Sequence, residues 1–140
     1  MKLFKDTEKS TFAYWFAHWK AFQLTAILLG VWKFRFLFHD IEKPFLMFIW
    51  KDYPRVKQYH RTHARHHWAY AGNKDYDYLA MVIDWECSRF SKAHAQMTAY
   101  ETYDYYLHKF INKKDFEKMK LLQLHVFPII EKLNLFISHV

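Results

Sequence analysis

Apolar residues recur at spacings of three and four along much of the chain. Phe12, Trp15, Phe16, Trp19, Phe22, Ala26 and Ile27 make one such stripe, the period of a helix face. A polar lead-in, Asp6-Thr7-Glu8-Lys9-Ser10, precedes it, with Thr7 and Ser10 available as N-caps. Gly30 follows as a stop signal, so a first helix is expected to run to about residue 29. A second is expected over residues 31–42. Pro44 suits the first turn of a third over residues 45–52, and Tyr53-Pro54 marks the next break. Residues 55–70 read as a fourth, histidine-rich helix, and residues 71–75 as the clearest loop. Further helices are expected over residues 78–98, with Leu79, Val82, Ile83 and Phe90 among their apolar positions, then over 102–110. The last covers 115–140, with a kink at Pro128. No stretch alternates strictly enough to be a strand. The expected class is all-α, a single-domain bundle of six or seven helices.

Composition supports this. The chain has 140 residues, 52% of them hydrophobic, with only two glycines and three prolines. Sandwiches and barrels need more turn-forming residues than that. General disorder is excluded by the apolar fraction. One cysteine, Cys87, allows no internal disulfide and suits a reducing compartment. No signal-peptide pattern is evident at the N-terminus, so a cytoplasmic location is expected. Residues 10–32 are strongly apolar but interrupted by His18 and Lys20. The longest uncharged stretch, residues 21–32, falls short of the ~18 residues of a spanning helix. No stable membrane span is therefore expected. The formal charge of +7, with ten histidines counted neutral, favours an anionic partner.

Candidate chemistry lies in four places. His39-Asp40 follows an apolar run and precedes Ile41; a carboxylate there is costly to bury unless a cation meets it. Imidazole plus carboxylate suits Mn, Fe, Co, Ni or Zn, with Mg a further candidate. Lys43, three residues after Asp40, would share its face on a helix and neutralise a phosphate oxygen. His60, His63 and His67 would fall on one face of the fourth helix, with His66 about a third of a turn away. Arg61 and Arg65 are interspersed, which also fits a solvated basic face. Asp84 sits in the apolar run Met81-Val82-Ile83-Asp84-Trp85 and needs a partner, a metal or a base. His18, on the first helix, is weak evidence alone.

Taken together, the order His, His-Asp, His and His, Asp on helices resembles the HD-domain superfamily of metal-dependent phosphohydrolases. The string His39-Asp40-Ile41-Glu42-Lys43 looks like its HD-I-x-K signature, although Glu42 stands where members often carry Gly. The chain is also similar to a family of small uncharacterised bacterial and phage HD-like proteins. The matching stretches are His18-Trp19-Lys20, residues 37–45, residues 65–70, Asp84-Trp85 and Ser91-Lys92-Ala93. His63 has no counterpart in that pattern. The resemblance implies one or two divalent metals on His18, His39, Asp40 and Asp84, with His60 and His66 or His67 completing a second site. Asp40 and Lys43 would act at the reacting phosphate, and Lys43, Arg61, Arg65 and Lys92 would bind substrate. The implied reaction is hydrolysis of a phosphomonoester or phosphodiester, a nucleotide being the leading candidate. Alternatives are an HD-like di-iron oxygenase, a basic helical protein binding nucleic acid or another anionic ligand, and a membrane-associated helical protein.

Overall fold

The computed structural model describes residues 12–64, 66–67, 75–91 and 97–136. It is all-α, with no strand among the described residues. The elements are α1 (Phe12–Leu28), a 3₁₀ segment (Phe34–Phe38), α2 (Glu42–Trp50), α3 (Tyr53–His63), α4 (Asp75–Ser91) and α5 (Ala99–Asn112). A last helical run follows, made of α6 (Phe116–Leu121), a π turn (Leu122–Val126) and α7 (Phe127–Lys132).

α4 is the central rod, and it is buried on two sides. Ala80, Ile83 and Cys87 pack with Ala21, Phe22 and Ala26 of α1 and with Phe36. The small residues Ala21, Ala26 and Ala80 let the two backbones come close. On its other side Tyr78, Met81 and Val82 join Ala99, Tyr103, Phe110, Leu122, Val126 and Ile130 in the larger core. Asp84 lies between these two apolar faces.

Several helix ends obey the sequence signals. Gly30, at φ +72°, closes α1: Val31 N–H reaches Ala26 C=O and Gly30 N–H reaches Ile27 C=O, a Schellman motif. The Asp52 side chain caps α3, with Pro54 in its first turn. Thr98 and Glu101 form a capping box that starts α5. Thr98 is therefore a helix start and not the end of the preceding helix. α4 itself begins at Asp75, three residues earlier than expected, and α5 covers both ends of the expected 102–110 segment. Around Pro128, which has no N–H to donate, the helix relaxes into the π turn, and Phe127 N–H bonds to Leu122 C=O. Residues 1–11, 68–74, 92–96 and 137–140 lie outside the described residues. So the N-cap lead-in, most of the expected 71–75 loop and the ends of three expected helices are not placed.

Three expectations are corrected. The helix expected over residues 31–42 is absent as an α-helix. Residues 31–33 are followed by the 3₁₀ segment, then by a turn in which Asp40 takes φ +57°. The histidine-rich helix ends at His63, because Ala64 adopts an extended conformation; His66 and His67 lie beyond it. The first-helix stripe divides: Trp15, Phe22 and Ala26 are buried, whereas Phe12, Phe16 and Ile27 are exposed. The buried side of α1 includes His18, Gln23 and Thr25, of which His18 and Gln23 face the site segment.

Candidate metal centre

α1 grips the segment that carries His39 and Asp40. Gln23 Nε2 donates to Phe36 C=O at 2.6 Å, and Trp19 Nε1 donates to Leu37 C=O at 3.0 Å. Trp15 Nε1 donates to Asp40 C=O at 2.8 Å. Phe36 C=O and Asp40 C=O also accept from the backbone N–H groups of His39 and Lys43, so these carbonyls serve tight turns and a tertiary donor at once. Asp40 then turns the chain through the left-handed region, which costs a non-glycine residue about 1–2 kcal/mol and which Asp tolerates better than most. The turn delivers the carboxylate inward, where its side chain is 2% exposed. It also brings Lys43 Nζ to 3.2 Å from Asp40 Oδ2. The helix face expected to carry His39, Asp40 and Lys43 together is absent; a turn and the start of α2 bring Lys43 beside Asp40 instead.

Four elements converge on Asp40. Its Oδ1 lies 3.0 Å from His60 Nε2, 3.3 Å from His66 Nε2 and 3.4 Å from His39 Nε2. Its Oδ2 lies 3.4 Å from His18 Nε2. Asp84, from α4, places Oδ1 2.9 Å from His18 Nε2 and 3.2 Å from His39 Nε2. The His39 ring stacks on Phe22 at 3.7 Å between centroids, which fixes its plane. Cys87 Sγ lies 4.0 Å from His18 Nδ1.

His60 is the informative member. Its Nδ1 is held by the Glu42 carboxylate in a short contact. An ionised carboxylate can only accept, so the proton sits on Nδ1. A neutral His60 then turns its Nε2 lone pair toward Asp40 Oδ1. Asp40 Oδ1, His60 Nε2 and His66 Nε2 are all buried, and none has a hydrogen-bond partner. Buried atoms of this kind are costly without a partner. A cation among the three atoms would satisfy them, and a proton on His60 Nε2 donated to Asp40 Oδ1 would satisfy two of them. These residues therefore fit a metal.

The ligand-type groups form three overlapping sets: His18, His39, Asp40 and Asp84; His60, His66 and His67; and Asp40, Glu42 and His60. Within each set the donor atoms lie within 4.8 Å of one another. Glu42 is a residue whose part the sequence did not disclose; His60 is eighteen positions away, and no local spacing links them.

Electrostatics follow from burial against charge. Burial disfavours ionisation of Asp40, but His39, Lys43 and His60 outweigh it and hold the carboxyl well below the usual range. Asp84 is likewise held low against burial, by His18 and His39. His18 is raised well above its ordinary value: burial opposes this, and Cys87, Asp84 and Asp40 overcome it. His60 is raised against burial by Asp40 and Glu42. Burial, with Asp40 opposing and His66 assisting, lowers His39. Burial and the neighbouring His66 bring His67 down to about 3, leaving its ring neutral and able to ligate.

The other expected residues divide. His66 and His67 both join the cluster, each ring within 5.1 Å or less of His60. His63 does not; it is exposed and stacks on Tyr59 at 4.0 Å. The expected common face of His60, His63 and His67 is thus absent, because the helix ends before His67. Arg61 lines a cavity of about 570 Å³ that also borders His66, His67 and Asp84. Lys109, Lys118, Trp85, Tyr105 and Tyr106 line the same cavity, and sequence spacing gave no sign of them. Arg65 and Lys92 lie outside the described residues.

No protein-family model, curated protein or solved structure matches this chain.

Proposed function

We propose that the protein is a metal-dependent phosphohydrolase that cleaves a phosphomonoester or phosphodiester by attack of water. The observation that carries this reading is the convergence of Asp40 Oδ1, His60 Nε2 and His66 Nε2, buried and without hydrogen bonds. His18, His39, Asp40 and Asp84 would hold one divalent metal, and His60, His66 and His67 a second. A divalent metal bound there supplies Lewis-acid polarisation of a phosphoryl oxygen and acidifies a coordinated water.

The chain's own residues do the rest. Glu42 fixes the tautomer and plane of His60. The Lys43 ammonium adds positive charge at the edge of the cluster, suited to an equatorial phosphate oxygen. Arg61, Lys109 and Lys118 line the adjoining cavity, whose only acid among the described residues is Asp84. They suit the remaining phosphate charge. Trp85, Tyr105 and Tyr106 offer ring faces there, and a base stacked on an aromatic ring gains about 1–3 kcal/mol. A cation-lined, ring-lined cavity beside the ligands supports a nucleotide as substrate.

The test is phosphate release from a panel of nucleotides and aryl phosphoesters by protein reconstituted with Mn, Fe, Co, Ni or Zn. Metal-dependent release that Asp84→Ala abolishes is the expected result. Metal-loaded protein that releases no phosphate from any of them, or that consumes oxygen instead, would overturn the reading.

A further inference from the structure

Exposed apolar side chains are distributed unevenly. Of the seventeen large ones exposed among the described residues, twelve lie between Phe12 and Ile49. The exposed residues of α1 are Phe12, Ala13, Phe16, Lys20, Leu24, Ile27 and Leu28. At 100° per residue they form one continuous face, apolar except for Lys20 at its centre. α2 repeats the pattern. Ile41, Phe45, Phe48 and Ile49 recur at helical spacing, and all four are exposed, Phe48 to 81%. An apolar stripe turned to solvent is the reverse of an ordinary surface helix.

The α1 face runs on to the 3₁₀ segment that leads into α2. Phe16 stacks on Trp19 at 6.0 Å, and Trp19 reaches Leu37 C=O. The next residue, Phe38, is exposed and stands edge-on to Phe34 at 6.0 Å. A patch of this extent marks an interaction surface.

Charge narrows the occupant. In residues 12–51 the only acids are Asp40 and Glu42, and both are engaged by the histidine cluster. Lys43 pairs with Asp40, and the other formal charges, Lys20, Lys33, Arg35 and Lys51, are all positive and exposed. A second copy fits poorly, since antiparallel pairing of the α1 faces would set Lys20 against its own counterpart. An anionic surface meets both properties: apolar side chains enter the headgroup boundary, and Lys20 snorkels to the phosphates. Among the described residues no helix is long and apolar enough to cross a membrane, so the contact would lie in the plane of the interface.

We propose that the α1–α2 face docks this protein onto an anionic lipid bilayer. The proposal rests on that surface alone and is independent of the metal centre. Flotation with vesicles tests it, using phosphatidylcholine alone and phosphatidylcholine with about one-third phosphatidylserine. The protein is expected to float with the anionic vesicles and at least tenfold less with the neutral ones. The double variant Phe45→Ser/Phe48→Ser should lose at least tenfold of that binding, and Lys20→Glu several-fold, each with wild-type circular dichroism. If the double variant misfolds, Lys20→Glu carries the test. A folded wild type that ignores both vesicle types overturns the proposal and leaves the face to a protein partner. Unchanged flotation of folded variants overturns it too. So does a wild-type dimer, seen by sedimentation, that Phe45→Ser/Phe48→Ser converts to monomer.

Discussion

The Nε2 atom of His60 lies 3.0 Å from the Oδ1 atom of Asp40, and neither atom makes a hydrogen bond. Glu42 holds the opposite side of the His60 ring and fixes this alignment. The pair is a lone-pair contact unless a cation or an added proton joins it. The protein therefore has two ways to satisfy the site, a bound cation or a proton shared by His60 and Asp40.

Removing the carboxylate behind His60 should loosen the metal without unfolding the chain. Glu42→Ala is expected to lower metal affinity by about 10–100-fold, the usual cost of losing a partner that orients a ligating histidine. Glu42 is partly exposed at the start of α2, so helix content should stay at the wild-type level. Competition titration with a chelating dye measures the first, and circular dichroism the second. Unchanged affinity would show that Glu42 plays no part in holding His60.

Metal affinity should rise with pH through and above neutrality. In metal-free protein the pKa values of His18 and His60 are raised, so both rings keep protons that a metal must displace. Competition from those protons fades only as pH climbs past the raised values. His67, near 3, carries no proton at neutral pH and contributes nothing to this slope. Calorimetric titration at pH 7 in two buffers of different ionisation enthalpy should detect proton release on metal binding. Binding without proton release would contradict the assigned protonation states.

Phe22 links the core to the site. It is fully buried between α1 and α4 and stacks under His39. Phe22→Ala should cost about 3–5 kcal/mol by transfer and cavity terms. Denaturant unfolding of the metal-free protein measures this. A loss under about 1 kcal/mol would mean that the α1–α4 contact is not a packed core.

The cavity residues should govern substrate binding more than turnover. Lys109→Ala and Tyr106→Ala are expected to raise KM for a nucleotide several-fold with little change in metal content. A small aryl phosphoester should feel neither change. Equal effects on both substrates would place the nucleotide elsewhere.

Much of the fold was legible in the sequence. The scarcity of glycine and proline, the helical period and signals such as Gly30 and Asp52 gave the all-α class and most helix positions. Where reading failed, tertiary hydrogen bonds overrode local preference. Residues 31–42 look helical, but Trp15, Trp19 and Gln23 of α1 bind the carbonyls of Asp40, Leu37 and Phe36 and hold this segment as a 3₁₀ turn against α1. The apolar stripe of α1 was found by period, but period cannot tell which of two apolar faces is buried. In the site, His18, His39, Asp40, His60, His66, His67 and Asp84 were all picked by residue type. The structure places the seven in overlapping groups of ligand-type side chains. Glu42 and the lining residues of α5 and α6 were not, since their roles depend on contacts far apart in sequence.

The most direct test is metal content of the purified protein by elemental analysis, with Asp40→Ala beside the wild type. The account predicts a stoichiometric transition metal, present as purified or after incubation with Mn or Fe, that is lost in the variant. A folded wild type that takes up no metal would contradict it, and the buried histidines would then be structural residues that share protons with Asp40 and Asp84.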